Sequence, residues 1–122
     1  LTAYSKNIAK ILDNHCDIVL VGDSMANVLY ALKNTNKITL KNIIQHTLSV
    51  KQGIKKSLLV VDMPKGSYDN LKDALQNAKL IVRSTGCDAV KLENNKKNYK
   101  FIEVLVKKKN SCNGSYRLHT AI

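Results

Sequence analysis

Tryptophan is absent from this sequence, and its 122 residues include one proline, one phenylalanine and three cysteines. Since only five glycines accompany the single proline, the composition excludes a collagen-like chain and a Gly/Pro-rich disordered one. Hydrophobic residues make up 44% of the chain and charged residues 24%, which is typical of a globular protein. The length predicts one domain with a hydrophobic core of its own.

Long apolar runs are also missing, and none approaches the roughly 18 residues that a membrane span needs. The first residues lack the basic-then-apolar layout of a signal peptide, so we expect a cytoplasmic protein that does not contact a membrane.

The three cysteines, Cys16, Cys87 and Cys112, show no CxxC spacing of the kind used by metal knuckles and redox pairs. They are expected to be reduced thiols.

Acidic residues are outnumbered by basic ones, and the formal net charge is +11. Only Arg83 and Arg117 are arginines, although reading of bases and clamping of phosphates rely on the guanidinium fork. Lysine is abundant together with asparagine and isoleucine, a combination that an AT-rich coding sequence produces without selection for binding. We therefore do not expect nucleic-acid binding, but a non-catalytic basic module that binds a polyanion through residues 96–109 remains an alternative.

Three short aliphatic runs predict β-strands at residues 17–21, 57–62 and 88–93. Their nearly continuous apolar character is typical of strands buried on both faces of a parallel sheet. Helices are predicted between and around them, with residues 24–38 left as one helical turn and a loop. The predicted helices are one capped by Ser5 and running to about His15, one from Thr39 to Gly53, one opened by Asp69 or Asn70 and followed by Gly86, and one from Tyr99 to Lys109.

Strands that alternate with helices predict βαβ units, and therefore a parallel α/β sheet with right-handed crossovers. Neither GxGxxG nor GxxxxGK[ST] follows any of the strands. We therefore do not expect dinucleotide or P-loop chemistry.

Acidic residues lie at the carboxyl ends of the three predicted strands, and they are Asp23, Asp62 and Glu93. The carboxyl ends of parallel strands face one crevice, where three carboxylates would raise each other's pKa unless a cation neutralised them. Mg²⁺ is the simplest such cation, since it takes oxygen ligands and typically binds one or two carboxylates together with water and substrate oxygens. The alternative is that these acids only cap the helices that follow the strands.

Two further residues complete the predicted site. Lys91 leaves the same strand face as Glu93, and a lysine among carboxylates can pair with an anionic substrate. Ser24, next to Asp23, adds a hydroxyl group. Together these residues predict a site for an oxygen-rich anion chelated to a metal.

The three histidines, His15, His46 and His119, lack metal-binding spacing. They are expected to be helix or loop residues.

Several of these stretches, in this order over about residues 1–109, resemble the ketopantoate hydroxymethyltransferase family. The matching pieces are LTAY at 1–4, VLVGDS at 19–24, TL at 39–40 with HT at 46–47, DMP at 62–64 with GSY at 66–68, and DAVKLE at 88–93.

The resemblance implies a (β/α)₈ TIM barrel, which usually needs about 250 residues, so that only about the first half is present. It implies a single partial domain over residues 1–122, in which 110–122 form an unmatched tail. The implied reaction transfers a hydroxymethyl group from 5,10-methylenetetrahydrofolate to 3-methyl-2-oxobutanoate and gives 2-dehydropantoate, in pantothenate and coenzyme A biosynthesis. Another metal-dependent lyase of the same barrel superfamily is the enzymatic alternative.

The resemblance also implies roles for residues of the site. Asp23 and Asp62 would hold Mg²⁺, with Glu93 completing the metal site through water, and the keto acid would contact Asp23, Ser24, Asp62 and Lys91. The family's general base is a glutamate on a later strand, and it has no counterpart here. The catalytic residue is therefore unassigned, and we expect a truncated form with little turnover. The family also implies a homo-oligomer.

Overall fold

The computed structural model describes residues 1–93, 100–101, 103–104 and 119–121. The elements, in chain order, are α1 Lys6–Leu12, β1 Ile18–Val21, α2 Met25–Val28, a 3₁₀ turn Thr35–Lys37, α3 Leu40–Lys51, β2 Leu58–Asp62, α4 Leu71–Thr85, β3 Ala89–Lys91 and β4 His119–Ala121. The helix predicted from Tyr99 to Lys109 lies largely outside the described residues. Those of its residues that the structure describes are helical.

The four strands form one parallel sheet whose spatial order, β1-β2-β3-β4, is the order of the chain. Helix α3 packs on β1 and β2, α4 packs on β3, and α3 lies between α1 and α4. Right-handed crossovers between strands in this order place the connecting helices on one face of the sheet. The prediction of a mixed α/β fold with a parallel sheet is confirmed.

The first three residues extend the sheet beyond β1, which the sequence analysis did not predict. Leu20 donates its N–H to Leu1 O at 2.8 Å, and Ala3 donates its N–H to Leu20 O at 3.0 Å. Thr2 forms a parallel bridge with Leu20. This pairing leads the chain to the carboxyl end of β1, so that Tyr4 lies near the residues that follow that strand.

Burial alternates along β1, whereas β2 and β3 have consecutive buried residues. Five side chains are completely buried in the core, and they are Val19, Val21, Leu59, Val61 and Val90. On the opposite face, Val60 and Ala89 are also buried, whereas Ile18 and Leu58 are 47% and 50% exposed. The prediction that both faces are buried is therefore confirmed at Val60 and Ala89 and wrong at Ile18 and Leu58, two paired residues at the amino ends of β1 and β2.

The helix boundaries at Thr39, Asn70 and Gly86 confirm three of the sequence predictions. Thr39 and Asn42 form a reciprocal capping box at the start of α3. Asn70, rather than Asp69, caps α4 by accepting the Asp73 N–H at 2.9 Å. Gly86 ends α4 in the left-handed conformation, with φ of 64°, which glycine adopts at little cost.

Helix α1 ends at Leu12, three residues earlier than predicted, and the next residue is anchored by a distant loop. The buried Asp13 carboxylate accepts the backbone N–H groups of Ser57 at 2.8 Å, Lys56 at 3.0 Å and Lys55 at 3.0 Å. These hydrogen bonds, led by the one from Ser57, lower the pKa of Asp13 to about 2. Asp13 thus fixes the end of α1 against the start of β2.

Gly53 permits the close crossing of α1 and α3. A Cβ atom at this position would lie 2.5 Å from Lys6 O, 2.8 Å from Lys10 N and 2.9 Å from Ala9 Cβ. Two of these atoms belong to the backbone of α1 and cannot rotate away. The glycine is therefore required by the packing of the two helices.

Within the described ranges, no helix has the length and apolar character needed to cross a bilayer. Cys16 and Cys87 carry free thiols, as predicted, and Cys112 lies outside the described residues. Burial raises the pKa of the Cys87 thiol above its usual value.

Candidate functional site

The predicted acids lie at the carboxyl edge of the sheet. Asp62 is the last residue of β2, whereas Asp23 and Glu93 each lie two residues beyond the ends of β1 and β3. Asp62 is only 7% exposed, Asp23 is half-buried, and Glu93 is exposed. Because the three strands are parallel and adjacent, their carboxyl ends bring these acids to the same edge.

Lys91 and Asp62 form an ion pair at this edge. The two residues are partners in the register between β2 and β3, so their side chains leave the same face of the sheet. Lys91 Nζ donates to Asp62 Oδ1 at 2.6 Å, with the side chains 31% and 10% exposed, respectively. The sequence analysis placed Lys91 in the site but did not assign it to Asp62.

The pKa values of this pair reflect burial and the neighbouring acids. Burial raises the pKa of Asp62 and outweighs the attraction of Lys91, and the charge of Asp23 raises it further. Burial alone would lower the pKa of Lys91, but Asp62, Glu93 and Asp23 together raise it above its usual value. Lys91 therefore remains charged and lies in the field of all three carboxylates.

Tyr68, which the sequence analysis did not include in the site, lies in the same field. Burial raises the pKa of its hydroxyl, and the charges of Glu93, Asp23 and Asp62 raise it further. Tyr68 comes from the loop after β2, whereas Lys91 comes from β3. Because β2 and β3 are adjacent and parallel, both side chains reach the edge of the sheet at which the three acids lie. The sequence did contain a signal for placing Tyr68 in the site, because this residue follows a strand and lies in a loop with Pro64 and Gly66.

Gly22 provides room for two oxygen atoms of the site. A Cβ atom on Gly22 would lie 3.0 Å from Ser24 Oγ and 3.3 Å from Asp62 Oδ2. Asp62 therefore directs Oδ1 to Lys91 and has Oδ2 near Gly22. The predicted site residue Ser24 also forms a 2.7 Å hydrogen bond with the hydroxyl of Tyr4.

The carboxylates at this edge of the sheet meet the requirements of a magnesium ion in part. Among the residues that the structure describes, no three or more His, Cys, Asp or Glu side chains are grouped so that they could hold a metal ion together. Mg²⁺ typically takes one or two carboxylates and completes its octahedron with water and substrate oxygens. The buried Asp62 and the half-buried Asp23 fit that requirement, and an exposed Glu93 fits contact through water. The metal assignment stays a prediction.

The sequence correctly predicted the structural setting of two of the three histidines. His46 lies in α3 and His15 in the turn after α1, as expected, but His119 lies in β4 rather than in a helix or loop. His46 forms hydrogen bonds through both ring nitrogens, to Tyr4 O at 2.8 Å and to Tyr30 Oη at 2.9 Å.

Comparison with known proteins identifies the family. The sequence model of the ketopantoate hydroxymethyltransferase family matches residues 1–114. The chain belongs to this family. The resemblance drawn from the sequence motifs is therefore confirmed.

Curated relatives in three bacteria are named 3-methyl-2-oxobutanoate hydroxymethyltransferase. The relative in Pelagibacter ubique is 58% identical over 109 residues, which are 89% of this chain and 42% of the relative. The Rhizobium etli relative is 47% identical, and the Brucella canis relative 42%, each over 88% of this chain and 40% of its own length. The chain thus spans about two fifths of the length of these family members.

Proposed function

We propose that this chain carries the magnesium- and keto-acid-binding part of a 3-methyl-2-oxobutanoate hydroxymethyltransferase. The observation that supports this most strongly is that Asp62, the last residue of β2, holds Lys91 Nζ at 2.6 Å on the edge of the sheet where Asp23 and Glu93 also lie. The reaction transfers a hydroxymethyl group from 5,10-methylenetetrahydrofolate to the keto acid and gives 2-dehydropantoate, in pantothenate biosynthesis. The folate co-substrate and a homo-oligomeric state are inferred from the family alone.

The proposed domain is one partial (β/α)₈ barrel over residues 1–122. A parallel sheet in chain order, with its connecting helices on one face, is the arrangement found in the wall of such a barrel. A barrel also places its functional residues at the carboxyl ends of the strands. Asp23, Asp62 and Glu93 follow this rule.

The proposed roles follow from where the oxygen and nitrogen atoms lie. Asp23 and Asp62 would hold Mg²⁺, with Glu93 acting through water, and the ion would supply Lewis-acid activation of a chelated 2-oxo acid. Lys91 would place its positive charge near the substrate carboxylate while Asp62 holds its ammonium group. Ser24 would contribute a hydroxyl to a substrate oxygen. We assign no general base among the described residues, so the proposal concerns binding.

Two alternatives from the sequence are less well supported. The basic segment proposed to bind a polyanion, residues 96–109, lies mostly outside the described residues. A different metal-dependent lyase of the barrel superfamily does not agree with the family match or with the shared name of the relatives.

Isothermal titration of the folded chain with 3-methyl-2-oxobutanoate tests the proposal, with and without Mg²⁺. We expect binding that requires Mg²⁺ and is weakened by at least roughly 10-fold in Asp62→Asn, because removal of a ligand oxygen costs at least as much as removal of an outer partner. Asp69→Asn is the matched control, since it makes the same change at an exposed acid. Binding that ignores Mg²⁺, or no binding by a chain shown to be folded by circular dichroism, would refute the proposal.

A further inference from the structure

A chain of hydrogen bonds leads from the surface of α3 to the candidate site. Tyr30 Oη lies 2.9 Å from His46 Nε2, and His46 Nδ1 lies 2.8 Å from Tyr4 O. Tyr4 Oη in turn lies 2.7 Å from Ser24 Oγ. These contacts connect α3, the first residues of the chain and the segment after β1.

The direction of the first two hydrogen bonds follows from the groups involved. Tyr4 O is a backbone carbonyl and can only accept, so His46 Nδ1 carries the proton. In the neutral ring Nε2 is then an acceptor, and Tyr30 donates to it. His46 therefore holds the backbone of Tyr4 from one side, while the pairing of residues 1–3 with β1 holds it from the other. The backbone from which the phenol ring of Tyr4 extends is therefore fixed in position.

Ser24 lies at the start of α2, yet its side chain forms no capping hydrogen bond to that helix. Its oxygen instead contacts the hydroxyl of Tyr4 and lies beside Gly22, where a Cβ atom would also approach Asp62 Oδ2. A serine hydroxyl has one proton to donate and can accept as well. The direction of the bond with Tyr4 therefore decides whether the Ser24 proton is used within the protein or is available to a ligand.

Relative acidity favours donation from Tyr4 to Ser24. A phenol is a far stronger acid than an aliphatic alcohol and is therefore the better donor of the two.

We infer that Tyr4 is a positioning residue, which donates its phenolic proton to Ser24 Oγ and thereby leaves the Ser24 proton free for an oxygen of an anionic 2-oxo acid. The identity of the ligand rests on the proposed function above. The hydrogen-bond direction does not, because it is argued from the relative acidity of the Tyr4 and Ser24 hydroxyl groups.

A double-mutant cycle with 3-methyl-2-oxobutanoate and Mg²⁺ tests the effect on binding. We expect Tyr4→Phe to raise the dissociation constant by about 5-fold, the size expected for a lost hydrogen bond between two neutral groups. In a Ser24→Ala background, the same change should have at most a roughly 2-fold effect, because Tyr4 acts through Ser24. Equal losses in both backgrounds would overturn the inference. Ser5→Ala is the control, since it removes the hydroxyl of an exposed side chain that forms no capping hydrogen bond.

A second measurement needs no ligand. The ¹³Cζ resonance of a tyrosine moves downfield when its hydroxyl donates a hydrogen bond and upfield when it accepts one. We expect the Tyr4 ¹³Cζ resonance to lie downfield in the native chain relative to Ser24→Ala, and an upfield or unchanged position would overturn the inference. If the native chain does not bind the keto acid, the proposed function and the ligand role of Ser24 are refuted, while this shift still decides the role of Tyr4.

Discussion

Asp13 Oδ1 accepts the backbone N–H of Ser57 at 2.8 Å, although the two residues are 44 positions apart in the chain. The same carboxylate accepts the N–H groups of Lys55 and Lys56. One side chain at the end of α1 therefore fixes the three residues that lead into β2. Such an arrangement favours the charged form of the carboxyl group.

Acid should destabilise the protein partly through Asp13. Its pKa is about 2 in the folded chain against an ordinary 3.8, so its contribution is fully present above pH 3.8 and is lost as the pH falls toward 2. We expect Asp13→Asn to lower Tm by several degrees at pH 7 and to reduce the further decrease in Tm between pH 4 and pH 2. Thermal unfolding followed by circular dichroism measures both. The neighbouring exposed Asp17→Asn is the control, and an unchanged acid dependence in Asp13→Asn would contradict the prediction.

Gly53→Ala should destabilise the packing of α1 on α3. The added methyl group would meet two backbone atoms of α1 at less than 3 Å, and overpacking of this kind costs about 1–3 kcal/mol in the free energy of unfolding. Urea denaturation measures the change. Gln52→Ala, at the adjacent exposed position, should change stability by about 0.5 kcal/mol or less. A Gly53→Ala variant as stable as that control would show that α1 can move away without loss.

Two adjacent leucines of β2 should respond differently to truncation. Leu59 is completely buried and Leu58 is 50% exposed. Leu59→Ala is expected to lower the free energy of unfolding by about 2–5 kcal/mol, because it removes buried apolar surface and leaves a cavity. Leu58→Ala should cost about 1 kcal/mol or less, since half of its side chain already contacts water. Denaturant titration compares them, and equal losses would mean that the face carrying Leu58 is covered in solution.

Gly22→Ala should affect ligand binding more than stability. The new methyl group would lie 3.0 Å from Ser24 Oγ and 3.3 Å from Asp62 Oδ2, close enough to displace both oxygens by a few tenths of an ångström. We expect the affinity for Mg²⁺ and 3-methyl-2-oxobutanoate to decrease by roughly 10-fold, with the urea midpoint nearly unchanged, because binding sites depend on oxygen positions at this scale. Calorimetry and denaturation of the same sample separate the two effects. Undiminished affinity would indicate that these oxygens do not bind the ligand.

Local patterns in the sequence were sufficient to predict most elements of the fold. Aliphatic runs predicted β1, β2 and β3, and capping residues predicted the ends of α3 and α4, because these signals depend on residues within a few positions. The pairing of residues 1–3 with β1 and the anchoring of α1 by Asp13 were missed. Both depend on partners 17 or more positions away, which no local pattern contains.

The site was predictable to a similar extent. The position of an acid after each strand, together with parallel topology, was enough to place Asp23, Asp62 and Glu93 at one edge of the sheet. The ion pair between Lys91 and Asp62 was not predictable, because it depends on the register between β2 and β3. That register is determined by how the buried side chains pack, which a single sequence does not specify.

Strand order that equals chain order has a consequence for how the protein is made. β2 and β3 each emerge from the ribosome after the neighbouring strand that precedes them, so the sheet can be extended in one direction as translation proceeds. No later strand has to be inserted between two of these strands. The nascent chain can therefore pair β1 with β2 before Lys91, the partner of Asp62, has left the ribosome.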